Sequence, residues 1–144
     1  MFKTDEGILK PIVYVGIIKD NRLLNVDYLK APNAVKVGWW IPAPELEYGE
    51  EPQKKAVQIC QEFGIQVNSM KLHDVESFVS PGGWHLLFHY VIKTLSEPCV
   101  NPNVRNFRWI TDSELSEVKD MAHGNWEVRA GQSYLRGAQT NDQV

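Results

Sequence analysis

Hydrophobic and polar positions follow two rhythms along this chain, and the switch between them predicts its elements. Residues 12–18 form a nearly unbroken β-branched and apolar run, Lys19-Asp20-Asn21-Arg22 supplies turn chemistry, and residues 23–29 resume the apolar pattern. This reads as a β-hairpin. A polar loop follows at 30–38, containing Pro32 and Asn33, and Trp39-Trp40-Ile41 reads as a short strand closed by Pro42. Pro44 and Gly49 keep 42–50 a loop. The rhythm then changes. Ala56, Ile59, Cys60 and Phe63 fall at i, i+3, i+4 and i+7, the stripe of a helix facing a core. Pro52 suits its first turn, where the missing N–H costs nothing, and Gly64 suits its C-terminal cap, so the helix is expected at 52–63. Strand-like runs recur at 65–68, 74–79, 84–94 and 105–110. Thr111 with Glu114 forms a capping-box pattern, Leu115, Val118 and Ala122 continue at helical spacing, and Gly124 reads as the stop. The order predicts an α+β sandwich, a mixed sheet with flanking helices. One domain over 1–136 is expected, with 137–144 a polar, frayed tail.

Composition narrows the function classes. The chain has 144 residues, enough for one core without disulfide or metal staples. A net charge of -3 argues against general binding of a nucleic-acid backbone, which needs a basic face. No apolar run is long enough to span a bilayer, and the acidic start MFKTDEGILK lacks the pattern of a signal peptide. Cys60 and Cys99 are too few for a disulfide framework, so both are expected as small buried side chains in a reducing compartment, with the cytoplasm the default location. At least three of the five tryptophans are expected in the core.

The candidate chemistry sits on the first helix. Gln58, Gln61 and Glu62 fall at i, i+3 and i+4, on the face that the apolar stripe leaves free. Three oxygen-bearing side chains aimed at one spot would, as carboxylates, suit Mg²⁺ or Mn²⁺. Here the sequence resembles the Nudix hydrolases. Trp39-Trp40-Ile41-Pro42 is similar to the strand that precedes the family's box, Glu47-Tyr48-Gly49-Glu50 to its E-x-G-E loop, and Gln61-Glu62-Phe63-Gly64-Ile65 to its closing EExGU, where U is a bulky aliphatic residue. Val15-Gly16-Ile17-Ile18 with Arg22-Leu23-Leu24 resembles the opening hairpin, and Phe107-Arg108-Trp109-Ile110 with Glu114-Leu115 the closing segment. The resemblance covers about residues 10–135 and implies a Nudix-like α/β/α sandwich.

It also implies a divalent-metal-dependent hydrolase of a nucleoside diphosphate linked to another group, such as a nucleotide sugar, ADP-ribose or a dinucleotide. Glu62, Gln61, Gln58 and Glu47 are then the metal candidates, and Glu50 and His123 the catalytic ones. The box is degenerate: Val57-Gln58 stands for its Arg-Glu, and Gln61 for the first of its paired glutamates, so charge for a cation is reduced. A weaker likeness links the chain to the GDP-mannose mannosyl hydrolase branch, through Gly38-Trp39 and His123-Gly124-Asn125. Val104 occupies the position of that branch's basic histidine. Trp39 and His85 are candidates to touch substrate. His85 and His89, evenly spaced, share a strand face. The alternative reading is a catalytically silent Nudix domain that binds a nucleotide-like ligand or a protein partner. A homodimer is left open.

Overall fold

A computed structural model describes the chain apart from residues 31, 33–35, 100 and 142–144, and only the backbone of residues 140 and 141. The elements are β1 (Phe2–Thr4), β2 (Gly7–Lys19), β3 (Arg22–Tyr28), α1 (Pro52–Glu62), β4 (Ser69–Ser80), β5 (Gly83–Lys93), β6 (Val104–Ile110), α2 (Asp112–Glu117) and α3 (Gly124–Asn141). The strands form one mixed sheet of order β4-β5-β2-β3-β6, with β1 paired to β2. β2 and β5 run parallel over ten residue pairs, and the other pairings are antiparallel. The α+β architecture read from the sequence is the one observed.

Local chemistry explains the elements. Asp20 and Asn21 both hold positive φ, 52° and 59°, the two-residue geometry whose twist matches a hairpin, and Asp and Asn tolerate it better than most residues. Strand β2 is buried on both faces, which is why its pattern is continuous rather than alternating. Val13, Val15 and Ile17 pack with Ala56 and Cys60 of α1 and with Phe63 that caps it, whereas Tyr14 and Ile18 pack with Leu115 of α2 and with Tyr134, Leu135 and Ala138 of α3. Helix α1 ends in a Schellman cap: Ile65 N–H donates to the Cys60 carbonyl at 2.8 Å and Gly64 N–H to that of Gln61 at 3.0 Å, with Gly64 at φ 70°. The Thr111–Glu114 capping box is present in both directions at the start of α2.

Several expectations are corrected. Gly124 begins a helix instead of ending one. Helix α2 stops at Glu117 because the chain beyond it is claimed by Trp39, whose N–H donates to the Asp120 carbonyl and whose own carbonyl accepts from Ala122 N–H, both at 2.8 Å. Arg108 adds a two-pronged pair to the Asp120 carboxylate, at 2.9 and 3.0 Å. The expected tail boundary at 136 falls inside α3, where Ala138 is buried, and residues 142–144 of that tail lie outside the described residues. Asn33 of the expected 30–38 loop lies outside them as well. No strand forms at 65–68; β4 starts at Ser69 and runs continuously to Ser80, past an irregularity at Leu72/Asp74. Strand β1 had no reading in the sequence. Of the five tryptophans, Trp40 is buried, Trp39, Trp109 and Trp126 are half-buried and pack against the two cores, as expected, and Trp84 is exposed. Cys60 is buried as expected, but Cys99 is exposed. Among the described residues, no helix is long and apolar enough to cross a membrane.

Candidate functional site: a cleft at the fork of the sheet

Strands β2 and β3 pair only beside their turn, at Ile18–Leu23 and Lys19–Arg22, and then diverge. The segment 39–46 enters the fork. Val15 and Val13 N–H groups of β2 donate to the carbonyls of Pro42 and Pro44, each at 2.9 Å, and Trp40 exchanges two bonds of 2.9 Å with Val26 of β3. Proline accepts but cannot donate, so the segment lines the fork without becoming a regular strand. A cleft of about 900 Å³ opens there. Its walls are Ile12 and Tyr14 of β2, Tyr28 of β3, Trp40, Ala43 and Pro44 of the inserted segment, Leu87 and His85 of β5, Phe78 of β4, and His123 and Trp126 beside and on α3; Ile59 is the α1 residue that reaches it. Lys10, Lys36 and Glu45 supply its charged side chains. The volume matches that of ligand pockets generally, and so does the mixture of aromatic wall and few polar groups.

One buried carboxylate holds two of these walls together. Glu127, on the first turn of α3, is fully buried; one oxygen accepts Ile41 N–H at 2.8 Å and the other His123 N–H at 2.9 Å. The first bond fixes the segment bearing Trp40, and the second fixes His123 and the start of α3. Burial pushes the Glu127 carboxyl up to about 7, although the two backbone donors pull the other way. The aromatic walls touch edge to face, His123 against Trp40 at 4.9 Å and Tyr28 against Trp40 at 6.4 Å. Burial lowers the His123 pKa, and the charge of Lys36 lowers it further, favouring the neutral imidazole. His85 stacks on Phe78 at 4.8 Å with the rings nearly parallel.

The residues singled out in the sequence are distributed unevenly about this cleft. His85 and His123 line it. Trp39 does not; the Arg108 guanidinium covers its ring at 4.3 Å, and its neighbour Trp40 faces the cleft instead. Gln58, Gln61, Glu62 and Glu47 are exposed and outside the lining. Glu50 is held by its own loop: it accepts Glu47 N–H at 2.6 Å and meets Lys55 Nζ at 3.1 and 3.2 Å. The Glu47 N–H bond, followed by Lys55, keeps its carboxyl below the usual range. His85 and His89 share a face of β5 but have separate partners, because His89 is buried between Glu76, at 2.7 Å, and the Tyr134 hydroxyl. Glu127 and the cleft's tyrosines had no signal in the sequence, where Glu127 reads as an ordinary helix glutamate.

The donor set does not fit a hard divalent cation. Such ions take several oxygen ligands with anionic charge among them. Around α1 two of the ligand positions are amides, Glu50 is neutralised by Lys55, and Glu51 pairs with Lys54 at 3.1 Å. Among the described residues, Glu62 is the carboxylate left on that helix face, and no three His, Cys, Asp or Glu side chains converge on a point.

The fold has close parallels among solved structures. A NUDIX hydrolase from Nitrosomonas europaea superposes with a TM-score of 0.70 at 18% identity, covering 90% of each chain. An ADP-ribose pyrophosphatase from Streptococcus suis matches at 0.62 and 12% identity, over 90% of this chain and 92% of that one. A UDP-X diphosphatase matches at 0.64 and 15% identity, over 94% and 66%. No protein-family model matches the sequence, and no curated protein matches it significantly. The chain therefore has the fold of the Nudix hydrolases. At these identities the parallel speaks for the fold and not for the reaction.

Proposed function

We propose that this protein binds a small molecule built on a nucleoside diphosphate, in the cleft at the fork of its sheet, as a recognition domain on a Nudix scaffold. The observation carrying this reading is the lining itself: an aromatic wall of Tyr14, Tyr28, Trp40 and Trp126 beside the cationic side chains of Lys10 and Lys36. Flat aromatic surfaces favour a base or ribose edge, and ammonium groups favour phosphate oxygens. Solved proteins of the same fold include an ADP-ribose pyrophosphatase and a UDP-X diphosphatase, which makes a nucleotide-linked small molecule the ligand class to test first.

Two tryptophans in the wall make binding visible. Titration with ADP-ribose and with UDP-glucose should change tryptophan emission saturably, with a Kd in the range of about 1 μM to 1 mM usual for such ligands, that is about 4–8 kcal/mol. A flat titration with both, together with no binding by calorimetry, would end the proposal.

Hydrolysis of the bound ligand is the second reading. It is favoured by Glu62, whose charge is close enough to the cleft wall to add to the effect of burial in raising the Tyr28 phenol. It requires Mg²⁺- or Mn²⁺-dependent release of a nucleoside monophosphate or a free sugar, detected by chromatography and lost in Glu62→Gln. Ligand binding without any such product would leave recognition as the whole function.

A further inference from the structure

Resting on the recognition reading, we infer that the cleft holds its anionic ligand without a divalent cation, Lys10 and Lys36 supplying the counter-charge in the cation's place. Two independent features lead there. The helix face that would carry a cation keeps Glu62 as its one carboxylate: Gln58 and Gln61 are amides, and Lys55 closes on Glu50 at 3.1 Å. Meanwhile the cleft itself is lined by two lysines, and among the described residues neither has an acidic partner. Lys10 is half-buried on β2, and its Nζ reaches the β4–β5 turn, 3.3 Å from where a β-carbon on Gly82 would stand. The charge of Lys36 is felt at His123, across the cleft wall. Glu45 is the carboxylate among the lining residues, so the described charges of the cleft leave a positive excess.

The physics separates the two ways of holding a diphosphate. A cation bridge needs several anionic protein ligands to hold the metal, and the polar face of α1 offers Glu62 alone. Ammonium groups bind phosphate oxygens directly, and their contribution falls as salt screens it.

The experiment is an ADP-ribose titration followed by tryptophan emission, in EDTA and again with MgCl₂, for the wild type and for Lys10→Gln, Lys36→Gln and Glu62→Gln. Equal affinity in both media is expected, with a loss of about tenfold for each lysine variant, the size of one partly screened ion contact, and no change for Glu62→Gln. Inorganic pyrophosphate, titrated by calorimetry in EDTA, isolates the lysines from the aromatic wall. If neither ADP-ribose nor UDP-glucose binds but pyrophosphate does, and Lys10→Gln loses it, the recognition reading falls while the lysine assignment stands. If ADP-ribose binds only with Mg²⁺, and Glu62→Gln abolishes that binding, the lysine assignment is overturned and recognition survives. Absence of binding by every probe overturns both. Circular dichroism of each variant separates a lost contact from a lost fold.

Discussion

Replacing Glu127 with glutamine should remove a pH dependence from the protein's stability. Glu127 is fully buried, and burial pushes its pKa from the ordinary 4.5 to about 7. Across that window the unfolded chain has released the proton while the folded chain keeps it. The folded state binds more protons, so stability is full below 4.5 and is lost as pH rises through 7. A displacement of this size corresponds to about 3 kcal/mol in total, most of it falling between about pH 5 and pH 8. Glutamine mimics the protonated acid: its carbonyl accepts one of the two backbone N–H groups and it carries no charge to desolvate. The variant should therefore resemble the wild type near pH 5 and exceed it by about 2–3 kcal/mol near pH 8. His73 and His123, both lowered chiefly by burial, work in the opposite direction. Their contribution is present at high pH and is lost as pH falls below the ordinary 6.5, but it is common to both proteins and cancels in the difference. Urea unfolding of both proteins across this range supplies the numbers. Parallel stability profiles would mean that Glu127 stays ionised throughout the range, since such a carboxylate contributes no slope.

Two further substitutions probe the frame around the cleft. Gly16→Ala should cost about 1–3 kcal/mol in thermal or urea unfolding, because the new β-carbon would stand 2.5 Å from Cδ2 of the Tyr134 ring, which is itself buried in the second core. Thr111→Ala removes the hydroxyl that accepts Glu114 N–H at 3.2 Å and should cost about 1 kcal/mol by the same assay without altering ligand affinity.

The sequence was most legible where local chemistry and final packing agree. Asp20-Asn21 announced the hairpin, and the spacing of Ala56, Ile59, Cys60 and Phe63 with Gly64 announced α1 and its cap. Helix α3 shows the opposite case. Gly131 and Gly137 lower its intrinsic helix propensity, yet packing requires them, since a β-carbon would stand 2.8 Å from Leu23 Cδ2 at the first and 2.8 Å from the His73 ring at the second. Tertiary contact outweighs propensity there, and no window of sequence contains Leu23 and Gly131 together. The cleft was hidden for the same reason. Its walls come from positions as distant as Lys10 and Trp126, whereas the patterned polar residues lie on α1, from which Ile59 lines the cleft. Trp39 and Trp40 illustrate the finest scale of the difficulty. Adjacent and chemically identical, they part because Arg108 covers the first, leaving the second to face the cleft.

Whether this cleft binds a nucleotide-linked molecule is read out by amide and indole chemical-shift mapping during an ADP-ribose titration. Shifts should concentrate at Tyr28, the Trp40 and Trp126 indoles, Leu87 and His123, all of which line the cleft. Shifts confined to residues outside it, or no shifts at millimolar ligand, would mean that the cleft is not the binding site.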